Sequence, residues 1–141
     1  MTFHPGLSHF ITINCRMRDG ASLLQGNVPD RLLESAHCYE GMGCWFIWLM
    51  LVMPDHLHMI ATFDLLGGIK KTVNSWKRYQ TTHLKLDWQS GFFEHRLRNE
   101  SDFVEKAHCI RMNPVRKDLV RKPEEWRWVL DRTCWAGQTP R

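Results

Sequence analysis

Residues 44–63 read CWFIWLMLVMPDHLHMIATF, and the fold turns on how this stretch divides. Cys44 to Met53 is an unbroken apolar run rich in aromatic and branched side chains, which reads as a strand buried on both faces. The tripeptide MPD breaks the run, and HLHMIATF (56–63) reads as a second strand, antiparallel to the first. Side chains alternate along a strand, so His56 and His58 share one face with only Leu57 between them. Such a pair either aims two imidazoles at one ligand or places two polar rings on one wall of a core.

Working outward, SHFITINCRM (8–17) sets Ile11, Ile13 and Cys15 against Phe10, Thr12 and Asn14, a strand with both faces engaged. RDGASLLQG (18–26) is a loop. Asn27 with Pro29 opens a helix whose stripe is Leu32, Leu33, Ala36 and Tyr39, and EGMG (40–43) ends it. LLGG (65–68) leads into a helix over Ile69–Leu84, with Ile69, Val73, Trp76, Tyr79 and His83 on its inner stripe. DWQSG (87–91) is a turn and FFEHRLR (92–98) a strand. Ser101 is the expected cap of a last helix, with Asp102 and Glu105 in a first turn that suits carboxylates. That helix should end near Met112, because Pro114 disfavours helical geometry at Asn113 and has no N–H. The order β-α-β-β-α-β-α predicts an α+β fold, a ferredoxin-like antiparallel sheet with helices on one face plus an extra C-terminal helix.

At 141 residues the chain is expected to be one domain, with a core over about 8–120 and a basic, Trp-containing tail over 121–141. In that tail, Trp126 and Trp128 are expected to pack over the sheet. The longest apolar stretch is about half of what a membrane-crossing helix needs. The opening MTFHPGLSHF has neither the basic nor the apolar region of a signal peptide, so a cytoplasmic protein with no membrane partner is expected. Cys15, Cys38, Cys44, Cys109 and Cys134 are odd in number and show no C-x-x-C spacing, which argues against a disulfide framework or a finger-type zinc site. They read as reduced thiols, mostly buried as small hydrophobes.

The net charge of +4 hides an asymmetry: residues 1–65 hold three basic and six acidic side chains, residues 66–141 sixteen and nine. A basic half of this kind suits a polyanion, nucleic acid before membrane, or forms a solvated helix face.

Two neutral imidazoles on one face can hold a divalent metal if a third ligand comes from elsewhere. In HCIRMNPVRKDLV (108–120), Cys109 and Asn113 lie four apart and share one helix face. Asn113 can cap, turn or ligate there.

VMPDHLHMI, WQSGFFEHRLRNESDF and IRMNPVRKDLV, in this order over roughly residues 8 to 130, resemble the REP-associated tyrosine transposases, single-tyrosine HUH transposases. The resemblance implies a ferredoxin-like domain that binds single-stranded or hairpin DNA and acts in DNA transposition and recombination. It implies Mg²⁺ or Mn²⁺ on His56 and His58, with Asn113 as third ligand, orienting the scissile phosphate for in-line attack. A tyrosine would form a 5′-phosphotyrosine bond and release a 3′-OH that can rejoin DNA later.

The chain departs from this pattern at the nucleophile, where it reads Cys109. A thiolate is soft and makes a weak, labile S–P bond. Three explanations stay open: a DNA-binding relative that does not cut, attack by another group, or a site turned to other use. Tyr79, in the basic helix, is the one substitute tyrosine. In one version of the third, Cys109 joins the histidines on Zn²⁺. Lys70, Lys71, Lys77, Arg78, Arg111, Arg116 and Lys117 are candidate phosphate contacts. Trp88, Phe92 and Phe93 either stack unpaired bases or belong to the core. His95 and His108 lie near the site in the chain, and relatives of this kind include monomers and homodimers.

Overall fold

A computed structural model describes residues 7–16, 22–64 and 66–133 of the chain. The expected elements form in the expected order. They are β1 (Ser8–Asn14), α1 (Val28–Gly41), β2 (Trp45–Val52), β3 (His56–Phe63), α2 (Ile69–Leu84), β4 (Phe93–Leu97) and α3 (Glu100–Arg116). A short strand the sequence did not announce, β5 (Val129–Asp131), follows a single 3-10 turn at Pro123–Glu125. The sheet runs β4-β1-β3-β2-β5 with every pairing antiparallel. Its first four strands have the ferredoxin-like order, and β5 adds to the β2 edge.

The sheet separates two cores. On one face Ile11, Ile13, Ile47, Leu57 and Met59 pack with Leu32 and Ala36 of α1 and Val73 and Trp76 of α2. On the other, Phe10, Trp48, Leu51 and Ile60 pack with Phe103, Ala107 and Ile110 of α3, and with Trp126 of the tail. Two helices thus share one face, and α3, the extra helix, covers the opposite one. β2 is buried on both sides as its composition predicts. A register shift between Ile47 and Leu49 turns Trp48 and Leu49 to the same face, the mark of a bulge. Trp126 packs as expected, and its indole N–H donates to the Val52 carbonyl at 3.1 Å.

Trp76 ties the helical layer to the sheet. It is fully buried, packs against Trp45 and Trp88 with centroids 5.6 and 6.4 Å away, and donates to Ser35 Oγ at 3.0 Å. The Gln80 amide also donates to Ser35, whose own hydroxyl donates to the Leu32 carbonyl.

Several local expectations are corrected. The cap of α3 is Asn99, whose side chain accepts from the Asp102 N–H at 2.8 Å; Ser101 lies inside the helix. The helix also runs through Pro114 to Arg116 instead of stopping near Met112. Proline gives up one bond to the preceding turn. Here the ring is buried, and the turn closes beyond it, with Lys117 N–H on the Asn113 carbonyl and Leu119 N–H on the Pro114 carbonyl. The inner stripe of α2 is rotated from the expected one: Thr72, Val73, Trp76, Lys77 and Gln80 are buried. Tyr79 is 41% exposed and lies on His83. Of the four described cysteines, all free, only Cys15 is buried; Cys38 is exposed and Cys44 and Cys109 half-buried. Cys134, the opening 1–6 and the 17–21 part of the first loop lie outside the described residues.

Removing the indole that joins α1, α2 and the sheet should cost about 3–5 kcal/mol. Trp76→Ala is therefore expected to lower the urea midpoint strongly, and a change below about 1 kcal/mol would contradict its role as the anchor of that core.

Candidate metal centre

β3 sets His56 and His58 under α3 by register alone. His58 lies opposite Thr12 of β1 and Leu51 of β2, and His56 opposite Asn14. The two rings stand 4.6 Å apart at 70°. His56 Nδ1 is 2.7 Å from Asp55 Oδ1, an acceptor, so the proton sits on Nδ1 and the lone pair is left on Nε2. That Nε2 faces the Asn113 amide across from α3, at 3.3 Å. His58 Nδ1 is 2.9 Å from Thr12 Oγ1. With the proton donated to Thr12, its Nε2 is also free to ligate.

Burial, and then the electrostatic influence of the neighbouring His56 ring and Lys106 ammonium, hold the pKa of His58 down at about 3. It is uncharged at neutral pH, the form that binds a metal.

The donor set fits a divalent cation. Two imidazoles are oriented through Nδ1 by protein partners, and an amide turned about its last torsion presents oxygen instead of nitrogen. Among the described residues no three His, Cys, Asp or Glu side chains converge as a ligand group, so Cys109 is not drawn onto the pair. The third donor brought to the histidines is Asn113.

Cys109 lies on α3 one turn from Asn113 and lines a cavity of about 210 Å³ with His95, Leu97, Asp102, Glu105 and Lys106. His95 thus sits beside the site, whereas His108 is exposed and does not line this cavity.

The other expected residues divide. Tyr79 belongs to α2, on the far side of the sheet from the histidines, which removes it as a substitute nucleophile. Lys70, Lys71 and Arg78 are exposed on that same far layer. Lys77 is buried and donates to the carbonyls of Gln89 at 2.9 Å and Gly91 at 2.6 Å. Burial lowers its pKa, and it acts as a strut under the turn before β4, not as a phosphate contact. Arg111 is tied to Asp131 at 2.8 Å and to Thr133, clamping α3 to β5. Arg116 and Lys117 are exposed at the Asn113 end of α3, and Arg116 donates to the Cys109 carbonyl at 3.0 Å.

Trp88 is buried and Phe92 packs against the core, leaving Phe93 exposed. Sequence reasoning missed Asp55, Thr12 and Lys106. Asp55 stood beside His56 in plain view, and Lys106 one turn before Cys109. Thr12 emerges only from the strand register.

No protein-family model matches the chain. It is 35% identical over 81 residues to a REP-associated tyrosine transposase of Escherichia coli (strain K12), a match covering 54% of this chain. That match spans 48% of the relative, so about half its length. A solved structure of a REP-associated tyrosine transposase bound to a REP hairpin superposes with a TM-score of 0.80 at 25% identity, covering 99% of this chain and 86% of that one. The shared fold and the sequence match agree: the chain is similar to the REP-associated tyrosine transposases in fold and over about half of its sequence.

Proposed function

We propose that this chain is a transposase-like HUH protein that binds hairpin or single-stranded DNA on the α3 face of its sheet. Beside the DNA, His56, His58 and Asn113 hold Mg²⁺ or Mn²⁺. The observation that carries the proposal is the 3.3 Å approach of Asn113 on α3 to His56 on β3, with His58 alongside. The hairpin bound in the solved relative supports the choice of DNA form.

When bound, the cation supplies charge neutralisation and polarisation of a phosphate. The protein's own groups do the rest. Asp55 and Thr12 fix the two imidazoles, and Arg116 and Lys117 meet flanking phosphates. Lys70, Lys71 and Arg78 serve DNA that wraps to the other layer. Zn²⁺ is the weaker alternative, since its preferred thiolate donor is not on the histidine pair.

Strand cleavage and transfer is the activity this architecture suits, and it is interrupted at Cys109. A tyrosine there would form an O–P bond as the bond from phosphorus to the 3′ oxygen breaks, the 3′ oxygen taking a proton. A thiol offers a weaker bond to phosphorus. The cavity against Cys109 leaves room for a larger side chain. The same residue favours a second reading, a DNA-binding regulator that does not cut. Among the described residues no helix is long and apolar enough to cross a membrane. A single-domain protein acting on DNA in the cytoplasm completes the proposal, as a monomer or homodimer.

Labelled hairpin DNA with Mn²⁺, resolved on a denaturing gel, compares the chain with Cys109→Tyr. Cleavage and a covalent protein–DNA band are expected only from Cys109→Tyr, and adding His56→Ala should abolish the cut while hairpin binding persists. Cleavage by the unsubstituted chain would contradict the interrupted site. Silence from both with DNA bound would support the regulator, and equal affinity for duplex and hairpin would sink the DNA assignment. Separately, Asp55→Ala should weaken Mn²⁺ binding about 10–100-fold in a calorimetric titration.

A further inference from the structure

We propose that the crevice between α1 and α2 is a binding site for a small amino acid, which places its ammonium on Gln80 inside and its carboxylate on Arg31 at the rim. The crevice lies in the layer across the sheet from His56 and His58, and the site is independent of the DNA-binding function proposed above.

A cavity of about 50 Å³ opens there, lined by Arg31, Glu34, Ser35 and Cys38 of α1 and by Gln80 and Leu84 of α2. One water needs about 10–15 Å³ of such space, so it has room for a head group of roughly three or four non-hydrogen atoms.

Gln80 is fully buried. Its amide nitrogen donates to Ser35 Oγ at 2.7 Å, and among the described residues its amide oxygen has no hydrogen-bond partner. Ser35 decides which end of the amide is which. Its one proton goes to the Leu32 carbonyl at 2.9 Å, and it accepts the Trp76 indole N–H at 3.0 Å, so its remaining lone pair takes only a donor. The amide therefore turns nitrogen to Ser35 and leaves oxygen to the cavity that both residues line. A buried carbonyl without a partner is costly, and a ligand that brings an N–H removes that cost. An ammonium does so best, because a charged hydrogen bond is roughly twice as strong as a neutral one.

The rim carries one charge of each sign. Arg31 and Glu34 are both exposed and three apart on α1, where opposite charges commonly pair. Among the described residues neither makes an ion pair. Glu34 adds a carboxylate for the ammonium, and Arg31 offers its planar fork to a carboxylate. A ligand with an ammonium alone would meet Arg31 with the wrong sign, and one with a carboxylate alone would have nothing to give Gln80. A small zwitterion satisfies both. Leu84 and the Tyr79 ring, which also line the crevice, give its short chain apolar walls.

Cys38, exposed on the same wall, is a native tether for the test. Its thiolate attacks one sulfur of a disulfide probe; one half of the probe leaves as a thiol and the other stays as a mixed disulfide. The full chain is equilibrated with equal amounts of cystine and hydroxyethyl disulfide and then digested. Mass spectrometry reads the two adducts on the Cys38 peptide, with urea-unfolded chain as the reference. In the folded chain the cysteine adduct is expected to be enriched about tenfold over that reference. Gln80→Met should return the ratio to the unfolded value. Arg31→Met alters an exposed side chain, should keep the parent melting temperature and should lose most of the enrichment, which decides the case even where Gln80→Met disturbs helix packing. Cystamine, with the ammonium but no carboxylate, should be enriched less than cystine, and Arg31→Met should not reduce its enrichment. Equal ratios in folded and unfolded chain would overturn the site, leaving a crevice that holds only solvent. Enrichment that survives both substitutions would overturn it too.

Discussion

The alternation of side chains along β3 is the constraint on which the rest depends. Leu57 and Met59 seal the core under α1 and α2, and the same pleat turns His56 and His58 to the opposite face. A slip of one residue would exchange the two sets, burying both imidazoles among Trp76 and its neighbours and exposing the leucine and methionine. The register is pinned on both sides, by β1 through Thr12 and His58 and by β2 through Leu51 and Val52. The apolar packing that gives the domain its stability therefore also aims the candidate ligands. The site needs no separate scaffold.

The third donor is placed by a different element under a different constraint. α3 crosses the histidine face on Phe103, Ala107 and Ile110, which fixes its phase. Cys109 and Asn113, four apart, then come to the edge of that contact. Pro114 would end most helices here. Its burial carries the helix one turn further, and this keeps Asn113 on a helical backbone facing His56 instead of in a loop.

Much of this was legible in the sequence for physical reasons. HLHMIATF reads as a strand because a polar-apolar alternation follows an abrupt break, and β3 occupies that same span. The helix over Ile69–Leu84 has a long periodic stripe, and it forms with those bounds. Its phase was less legible. Tyr79 and Lys77 adjoin the stripe on either side, and only packing against Trp45 and Ser35 decides that the lysine stem goes in and the phenol out. β5 was invisible because three residues carry no period, and they pair only because β2 offers an open edge. The charge asymmetry was real in sequence but not one patch in space. Lys70, Lys71 and Arg78 lie on one layer and Arg116 and Lys117 on the other, while Lys77 and Arg111 have internal partners.

Cys109 gives the molecule its particular character: a site with oriented imidazoles, an opposed amide and a cavity, but a thiol at the position that resemblance gives to tyrosine. Whether the metal site is intact independently of that residue is the central claim. The measurement that tests it most directly is pulsed electron paramagnetic resonance of the chain loaded with Mn²⁺, reading nitrogen couplings to the ion. Two imidazole nitrogens are predicted, falling to one in His56→Ala and in His58→Ala and staying at two in Cys109→Ala. An Mn²⁺ signal with no imidazole coupling, or one that changes with Cys109 and not with the histidines, would contradict the account.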